Sequence, residues 1–572
     1  MHRDLSTREP EQKNSKVKTK KDFKIFSPQS FAETCKEYRI FNTLRITEKP
    51  TKFPLEKYFE VKKLQPTVNK LVDNLSIEIK ENINIIREIV VDAINAKIEN
   101  KLDIHNSLEN KINNSNLSTS LKKILNYNIK DKTFILFILM VSSKKYSNDK
   151  LNITFLRTDY ILDINNVMKQ IEINSIALAN YAFAENLYKV HNTFNKTLES
   201  IGGEEVTNML VKCKNIYERR YKNMINKNKS LIQNYTIKDD DDIKECITKE
   251  NKERNSIDTI VLMIDNNDDN MIDKILLQER CHNKGMVLIT VKIEDMMENC
   301  TFVRNNNIFC IRCLNPNDFF EENELFLYKE FFDFRKKCNH KNNITNDHNH
   351  HNPESNKDDI LVFYKSQPIS ILYYRYFYNF THYTTPIIIF RRILESTSSI
   401  SLPNIQTQIS TLKTISSILE EEDLKRYLSN DETQEYQHSL VKYLLNDKKH
   451  NDDYIKKSNV EGGGNVKELN EDYNKTNEYK NNKIYSNTDL IDILDNNFTN
   501  NIFSMEKIIG KTFKNNFINE EEIEIISEIG VAGYNIKGEY TDISYVVKTK
   551  NKDSIECGIT KGYGGLDTIA DI

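Results

Sequence analysis

The sequence predicts a mixed α/β protein, and three stretches support this prediction. Residues 257–292 are typical of a βαβ unit, because "SIDTIVLMID", "NMIDKILLQERCHNKG" closed by Gly285, and "MVLITVKI" follow one another as strand, helix and strand. Such a unit implies a parallel sheet. Near the C-terminus, "IEIISEIGVAGYNI" and "TDISYVVKTK" alternate apolar and polar residues, which predicts an antiparallel meander. Between Pro66 and Ile112 the apolar residues recur at spacings of three and four, as in helices.

The remaining segments are assigned in the same way. Residues 176–228 are predicted to form long helices, and "DILVFYKS" is predicted to be a strand. The run Thr133–Val141 ("TFILFILMV") is too short to span a bilayer and is predicted to be a buried strand. Residues 229–256 are strongly charged and are expected to form a connector.

The composition limits the classes of protein to which the chain can belong. With 572 residues it can bury a sizeable core, and its length predicts two to four domains. The formal net charge of -3 gives no reason to expect nucleic acid as a partner. The nine cysteines are scattered, and the N-terminal residues contain no apolar segment typical of a secretory signal. We therefore expect a reduced, cytoplasmic protein without a membrane partner.

Polar stretches interrupt the periodic segments. Residues 336–357 and 467–500 contain too few apolar residues to offset the entropy lost on ordering, so both are expected to be disordered insertions. Residues 1–30 are expected to be a disordered tail. A zinc site is an alternative for the first insertion, because the Cys310 and Cys313 pair precedes further cysteine and histidine residues. The usual spacing of a second ligand pair is missing, which favours disorder.

The stretch "QIEIN", Gln170–Asn174, is the first candidate for chemistry. On a strand, Ile171 and Ile173 face one side while Glu172 and Asn174 face the other. A carboxylate and an amide oxygen on one surface are hard ligands that suit Mg²⁺, which also keeps water and phosphate oxygens. Taken alone, the pattern favours a simpler interpretation, the exposed polar face of an amphipathic strand.

The second candidate is "EGGGN", residues 461–465. The chain has only 14 glycines, yet Gly462–Gly464 stand side by side between Glu461 and Asn465. Backbone N–H groups without neighbouring Cβ atoms can point at an anion such as a polyphosphate. Glu461 would reach a phosphate through a metal, and Lys457 adds a positive charge. A flexible tether is the alternative, although tethers normally alternate Gly with Ser.

Two other glycine motifs are incomplete. "GKT" at 510–512 lacks the glycine that a P-loop has five residues earlier, where Met505 stands. "GYGG" at 562–565 does not continue as GxGxxG, because residue 567 is Asp. No arrangement typical of nucleophilic catalysis stands out. The sequence therefore predicts a phosphate site of neither the P-loop nor the Rossmann type.

Taken together, these motifs resemble those of eukaryotic glutathione synthetase. The resemblance rests on "FLRTDYILD", "KQIEINSIALA", "PNIQTQ" with Lys413, "EGGGN", "MEKI", "SEIG" and "KTK", in matching order from about residue 30 to the C-terminus. It implies an ATP-grasp fold, α/β (α+β) in class, with a glycine-rich lid loop and an inserted parallel-sheet substrate domain. It also implies a homodimer.

The resemblance divides the chain into four parts. They are the tail 1–30, the N-terminal part of the core 31–256, the substrate domain 257–412 with its insertion 336–357, and the C-terminal part of the core 413–572, with a lid around 440–505 that includes the insertion 467–500.

The implied reaction is the ATP-dependent ligation of γ-glutamylcysteine and glycine to glutathione. The cysteinyl carboxylate takes the γ-phosphoryl group of ATP, and the glycine amine then displaces phosphate from the acyl phosphate. ATP is the co-substrate, and the implied cofactor is Mg²⁺, two ions per active site. A negatively charged phosphoryl group is transferred to a negatively charged carboxylate. Such chemistry therefore depends on neutralising the charges and on positioning the two groups.

The resemblance also implies roles for individual residues. The implied catalytic residues are Arg157, Lys457 and Gly463, and the implied metal ligands are Glu172, Asn174 and Glu461. The implied ATP-binding residues are Glu172, Lys413, Lys457, Glu461, Gly462, Gly463, Gly464, Asn465, Met505, Glu506, Lys507, Ile508, Glu528 and Lys550. The implied substrate-binding residues are Arg157, Ile176, Ala177, Leu178, Ala179, Asn270, Lys274, Lys365, Lys548, Ile559 and Thr560.

The departures from the family pattern concentrate in the substrate residues. Lys274 stands where Gln is usual, and Lys365 begins the stretch where Arg-Asp-Gly-Tyr is usual. Lys548 replaces an Arg and cannot form the same two parallel hydrogen bonds. The terminal loop Cys557–Gly562 lacks the usual small residues.

Three alternatives follow. One is a ligase of the same fold that uses serine or β-alanine as the acceptor amine. Another is a catalytically retired homologue that serves as a dimeric binding protein. A largely disordered interaction protein is the third, which the periodic core segments disfavour.

Overall fold

The computed structural model of the chain describes the greater part of its residues. The described residues are 28–40, 44–98, 104–141, 151–236, 259–265, 270–304, 307–310, 319, 324, 359–441, 443–444, 454–459, 461, 466–467, 490–499, 502–554, 556–559 and 562–570. The expected tail up to residue 27 and the predicted insertion 336–357, together with Cys313, lie outside these ranges. Within them, no helix is both long and apolar enough to cross a membrane.

Helices and strands alternate along the chain, which confirms the predicted mixed α/β class. The helices are α1 Pro28–Glu37, α2 Leu55–Glu81, α3 Ile83–Ile98, α4 Ile104–Asn114, α5 Thr119–Asn128, α6 Lys132–Leu139, α7 Tyr181–Phe194, α8 Gly202–Thr236, α9 Met271–Asn283, α10 Ile293–Asn299, α11 Thr385–Glu395, α12 Ile405–Ser410, α13 Lys413–Ile418, α14 Glu421–Tyr427, α15 Asn430–Ser439 and α16 Leu490–Asn497. The strands are β1 Thr51–Lys52, β2 Ile153–Leu162, β3 Met168–Asn174, β4 Ile260–Ile264, β5 Val287–Val291, β6 Cys300–Arg304, β7 Asn307–Cys310, β8 Leu361–Tyr364, β9 Gln367–Tyr374, β10 Ile400–Leu402, β11 Tyr443–Leu444, β12 Tyr454–Ser458, β13 Val466–Lys467, β14 Ile502–Glu506, β15 Phe513–Asn515, β16 Ile523–Ile536, β17 Glu539–Asn551, β18 Gly564–Asp567 and β19 Ile569–Ala570.

The strands form three larger sheets. An antiparallel sheet has the order β18-β17-β16-β2-β3, with β15 on β16, so it joins strands from the middle and the end of the chain. A second sheet has the order β5-β4-β9-β8-β6-β7, and its strands β5, β4, β9 and β10 are parallel. The small sheet has the order β11-β14-β12-β13. The predicted βαβ unit, the meander of β16 and β17, and strand β8 are all confirmed.

The apolar run Thr133–Val141 is a helix, not the predicted strand. Helix α6 begins after Asp131, whose side chain accepts a hydrogen bond from Phe134 N at 2.8 Å, and every residue of the helix is buried. It packs against α3, α11 and α12. A run that is apolar on all sides has no period, so its pattern cannot distinguish a buried strand from a buried helix. The capping carboxylate of Asp131 satisfies one of the free N–H groups of the first helical turn.

Two predicted boundaries are also wrong. The connector expected from residue 229 begins later, because helix α8 continues to Thr236. The insertion expected over 467–500 includes helix α16, whose Leu490 and Leu494 are fully buried. Two leucines four residues apart place one apolar stripe against the core, and this local signal is diluted by the polar residues around it. Residues 468–489 lie outside the described ranges.

Candidate functional site

A cavity with a volume of about 530 Å³ lies between the sheets of the described structure. Its walls come from the face of the antiparallel sheet, from the small sheet, and from the carboxyl ends of the parallel strands β4 and β9. Ligands of open parallel sheets bind at the carboxyl ends of strands. The charged lining residues are Arg157, Glu172, Asp265, Lys274, Arg375, Lys413, Lys457, Lys507, Glu528, Lys548, Lys550, Lys552, Asp553 and Glu556. Basic side chains predominate, which suits a ligand with several negative charges.

Glu172 lies among the lysines on the sheet face. Its carboxylate contacts Lys413 Nζ at 3.1 Å and accepts a hydrogen bond from Asn174 Nδ2 at 3.0 Å. Burial by itself raises the pKa of Glu172, but Lys413, Lys548 and Lys457 hold that pKa well below its usual range. Glu172 is therefore ionised and offsets part of the positive charge.

The strand pairing places Ile171 differently from the simple alternation predicted by the sequence, whereas Glu172 and Asn174 lie on one side and share a hydrogen bond. Asp159 and Tyr160 are neighbours on β2, but their partners on β3 are Glu172 and Gln170. Ile171, which stands between these partners, is therefore the extra residue of a bulge in β3. Ile171 and Glu172 both line the cavity, whereas Ile173 is buried in the core. The prediction that Ile171 and Ile173 share one face is therefore wrong, because the bulge inserts one extra residue into β3.

A second cluster of charged side chains joins β2, β16 and β17. Arg157 Nε donates to Asp159 Oδ1 at 2.7 Å, and Lys548 Nζ donates to Asp159 Oδ2 at 3.0 Å. Glu528 accepts from Lys548 at 2.9 Å and lies 3.7 Å from Lys550. Burial raises the pKa of Glu528, yet the two lysines lower it further than burial raises it. The pair Arg157 and Asp159 is thus held rigidly beside the cavity.

Gly530 is required for this arrangement. A Cβ atom at this position would lie 2.5 Å from Asp159 Oδ1 and 2.6 Å from Arg157 Cδ. Atoms cannot approach that closely, so only glycine lets β16 pass under the ion pair. This explains one of the glycines that concentrate near the C-terminus.

Lys457 is the buried cation of the small sheet. It projects from β12 into the cavity, and burial lowers its pKa to about 8, with Lys413 contributing to the shift. Glu172 and Glu528 act in the opposite direction. The ammonium group is therefore poised to be stabilised by an incoming anion.

The other end of the cavity holds both acidic and basic groups. Lys274 Nζ contacts Asp265 Oδ2 at 2.9 Å, and both side chains line the cavity. Arg375 also lines it and lies 3.5 Å from the buried Asp273. Ammonium and guanidinium groups beside a carboxylate can bind a zwitterionic head group, because they offer partners to both of its charges.

The structure brings most of the predicted site residues to this cavity. Besides the charged residues already described, the lining includes Ile176, Ala177, Leu178, Ala179, Asn270, Met505, Ile508 and Ile559. Asn174 is buried behind Glu172. Glu506 belongs to β14 but does not line the cavity. Gly462, Gly463, Gly464, Asn465 and Thr560 lie outside the described residues.

Lys365 was predicted to bind the substrate, but the structure places it away from this cavity. It lies on the exposed turn between β8 and β9, with a backbone φ of 45°, and does not line the cavity. Arg375 was not predicted from the sequence, but it follows the neighbouring strand β9 and does line the cavity. It follows the apolar run of β9, and the carboxyl end of a parallel strand is the signal that could have identified it. Asp159 was also missed, although strand alternation places it on the same face as Arg157.

Glu461 is buried against the loop after β3, whose residues Ile176 and Ala177 line the cavity. Its carboxylate accepts hydrogen bonds from the backbone N–H groups of Ser175, Ile176 and Ala177 at 2.8–2.9 Å. The structure thus brings Glu461 next to β3, the strand that carries Glu172 and Asn174. In this arrangement its oxygens face backbone amides.

Comparisons with known proteins concern the family and the fold. A family model of eukaryotic glutathione synthase matches residues 258–410, the stretch that contains β4, β9 and α9. No curated protein matches the chain. Among solved structures, the chain is similar to a glutathione synthetase-like effector from Globodera pallida in its apo form, with 11% identity and a TM-score of 0.50 over 96% of this chain and 98% of that chain. At this identity the match shows a shared fold. Together, the matches support the family that the motifs indicated, which is a family of ligases.

Proposed function

We propose that the chain is a glutathione synthetase, an ATP-dependent carbon–nitrogen ligase that joins γ-glutamylcysteine and glycine. One observation carries the proposal: a single cavity contains a lysine-rich end on two sheets and a mixed-charge end at β4 and β9, with Arg157 on its wall. The first end suits a polyphosphate and the second suits an amino-acid head group. The family match covers the second end.

The lysine-rich end is the proposed ATP site. Lys413, Lys457 and Lys550 would neutralise the phosphates, and Met505 and Ile508 line the cavity as apolar contacts for adenine. Glu528 would accept hydrogen bonds from the ribose hydroxyls. The predicted glycine-rich lid belongs to the same proposal, and its role would be to exclude the water that hydrolyses an acyl phosphate.

The residues at β3 fit a magnesium ion. Asn174 Oδ1 is buried without a hydrogen-bond partner among the described residues, and the ionised Glu172 lies beside it. No group of three or more acidic, histidine or cysteine side chains converges on a metal site in the described part of the chain. Mg²⁺ needs only one or two protein carboxylates together with phosphate oxygens and water. When bound, it would neutralise phosphate charge; Glu172 and Asn174 would hold it, with Glu461 as a further ligand.

The mixed-charge end suits the γ-glutamyl group. A γ-linked glutamate keeps both its α-ammonium and its α-carboxylate, so it is a zwitterion. Asp265 offers a carboxylate to the ammonium, while Lys274 and Arg375 offer cations to the carboxylate. An α-linked dipeptide has no free α-carboxylate at this end, so it would not offer the two cations a carboxylate beside the ammonium group.

In the proposed reaction, an oxygen of the cysteinyl carboxylate attacks the γ-phosphorus, and the bond from that phosphorus to the β,γ-bridging oxygen breaks to release ADP. The glycine nitrogen then attacks the acyl carbon, loses a proton, and displaces phosphate. Arg157 would hold the reacting carboxylate, because Asp159 fixes the direction of its guanidinium group. No covalent enzyme intermediate is required.

The direct test measures ATP-dependent phosphate release with γ-glutamylcysteine and a panel of amines. We expect release with glycine and much less with serine or β-alanine, because the buried Ile559 narrows the cavity at the terminal loop. A preference for a larger amine would favour the ligase with another acceptor. No release with any amine would favour a retired homologue.

Lys548→Ala is expected to raise the KM for γ-glutamylcysteine by about tenfold, because the loss of one charged hydrogen bond is worth about 1.5–3 kcal/mol. Lys548 supports Asp159 and hence Arg157, so the effect should exceed that on the KM for ATP. Steady-state kinetics with each substrate varied will measure both values. Lys57→Ala, which removes an ion pair with Glu60 away from the cavity, is the control, and equal effects of the two variants would contradict the assignment.

The value of kcat/KM for ATP is expected to fall as the pH rises through about 8, because Lys457 loses its charge there. Below that pH the ammonium is present and attracts phosphate; above it the attraction is lost. Lys457→Met should show a low kcat/KM that no longer changes over this pH range. An unchanged profile in the variant would show that another group titrates.

The predicted homodimer and cytoplasmic location belong to the same proposal. Sedimentation of the purified chain will test the dimer, with a single species of twice the chain mass as the expected result.

A further inference from the structure

The carboxylate of Glu461 is bound like a ligand by the loop that directly follows β3. Its Oε1 accepts hydrogen bonds from Ser175 N and Ser175 Oγ, both at 2.9 Å. Its Oε2 accepts from Ile176 N at 2.9 Å and from Ala177 N at 2.8 Å. An ionised carboxylate has about four lone-pair positions, so this set of donors satisfies the group completely.

The donors form a carboxylate site of their own. Three successive backbone N–H groups that converge on one anion are a recurrent anion-binding arrangement. The three residues directly follow β3, and Ile176 and Ala177 line the cavity. A ligand in the cavity can therefore reach the amides if Glu461 leaves them.

The position of these amides identifies the competing ligand group. Arg157 is paired in register with Asn174, the residue directly before the three amides. The amides thus lie beside the proposed reaction centre. Asp265 and Lys274, which would hold the γ-glutamyl head group, line the cavity from the parallel sheet. Of the two carboxylates of γ-glutamylcysteine, the cysteinyl one is therefore the group that belongs at these amides.

We propose that Glu461 is an internal ligand that competes with the cysteinyl carboxylate of the substrate for the backbone amides of Ser175, Ile176 and Ala177. This inference rests on the proposed function for the identity of the substrate. Binding of the dipeptide displaces the Glu461 carboxylate from the amides. The carboxylate is then available to the lysine-rich end of the cavity, which is the proposed ATP site. Substrate binding and completion of the nucleotide site are coupled in this way. The Glu461 carboxylate cannot bind the three amides and take part in the nucleotide site at the same time.

Isothermal titration of the full chain, without nucleotide or magnesium, tests the competition. The probes are γ-glutamylcysteine and its C-terminal amide, which lacks the cysteinyl carboxylate. In Glu461→Gln, the acid should bind about tenfold more tightly than in the wild type, as expected if the internal ligand occupies the amides nine-tenths of the time. The amide should bind equally to both proteins.

Glu461→Asp is the matched variant, because it keeps the negative charge but is one methylene too short to make all four hydrogen bonds. It should also bind the acid more tightly. A gain in Glu461→Gln alone, or an equal gain for the acid and the amide, would show a general charge effect and overturn the proposal.

Hydrogen exchange of the three amides gives a readout independent of catalysis. The amides should be protected in the wild type, exchange faster in both variants, and regain protection when γ-glutamylcysteine or acetate is added. Unchanged exchange in the variants would overturn the proposal. If no protein binds the dipeptide but acetate restores protection, the carboxylate site stands and the proposed function fails.

Discussion

Glu172→Gln is expected to lower kcat by about 10²–10³ while the fold remains intact, the loss typical when one charged group that stabilises a transition state is removed. Glu172 is the carboxylate that contacts Lys413 at 3.1 Å and whose ionisation is favoured by three lysines. The amide side chain has the same shape and can still accept from Asn174. It cannot offset the lysine charges or hold magnesium as a carboxylate does.

Phosphate release with ATP, γ-glutamylcysteine and glycine measures the effect, and circular dichroism checks the fold. Glu60→Gln is the control, because Glu60 forms an exposed ion pair with Lys57 and should leave turnover unchanged. Turnover of Glu172→Gln at the wild-type rate would remove Glu172 from the proposed site.

The second large effect is on stability. Glu324→Gln is expected to lower the free energy of unfolding by about 3–5 kcal/mol, the range for breaking a buried ion pair by removing one charge. Glu324 is fully buried and accepts from Arg392 Nη1 at 3.0 Å and Nη2 at 2.7 Å, and from Arg87. Arg87 belongs to α3 and Arg392 to α11, so one carboxylate joins two helices. Without its negative charge, two buried guanidinium groups lose this ion pair.

Denaturant unfolding followed by circular dichroism will measure the change. The control is Glu279→Gln, whose ion pair with Arg39 is exposed and should contribute about 1 kcal/mol or less. Equal unfolding midpoints for Glu324→Gln and the wild type would contradict the prediction. Neither residue lines the cavity, so any stability loss is separate from the effects on catalysis.

Local sequence patterns were sufficient to predict the secondary structure of segments in which the apolar residues recur with a single period. The βαβ unit from β4 to β5 and the meander of β16 and β17 were predicted correctly, because alternation and helical spacing each require one face to be buried. Glu172 of "QIEIN" and the lysines Lys548 and Lys550 near the C-terminus were likewise predicted to be site residues, and the structure brings these three to one cavity. Their sequence positions are far apart, so only the resemblance to a known family grouped them.

What the sequence determined by itself is therefore the mixed α/β class, the periodic elements and the residue types at the lysine-rich end of the cavity. Only the tertiary structure decided that residues 132–139 are a helix, because a buried run without polar positions carries no period. It also decided that Arg375, not Lys365, reaches the cavity, since both follow strands and only the sheet order distinguishes an exposed turn from the carboxyl end of a parallel strand. The contact between Glu461 and the amides of Ser175–Ala177 spans almost 300 residues of sequence, and no local pattern encodes such a pairing.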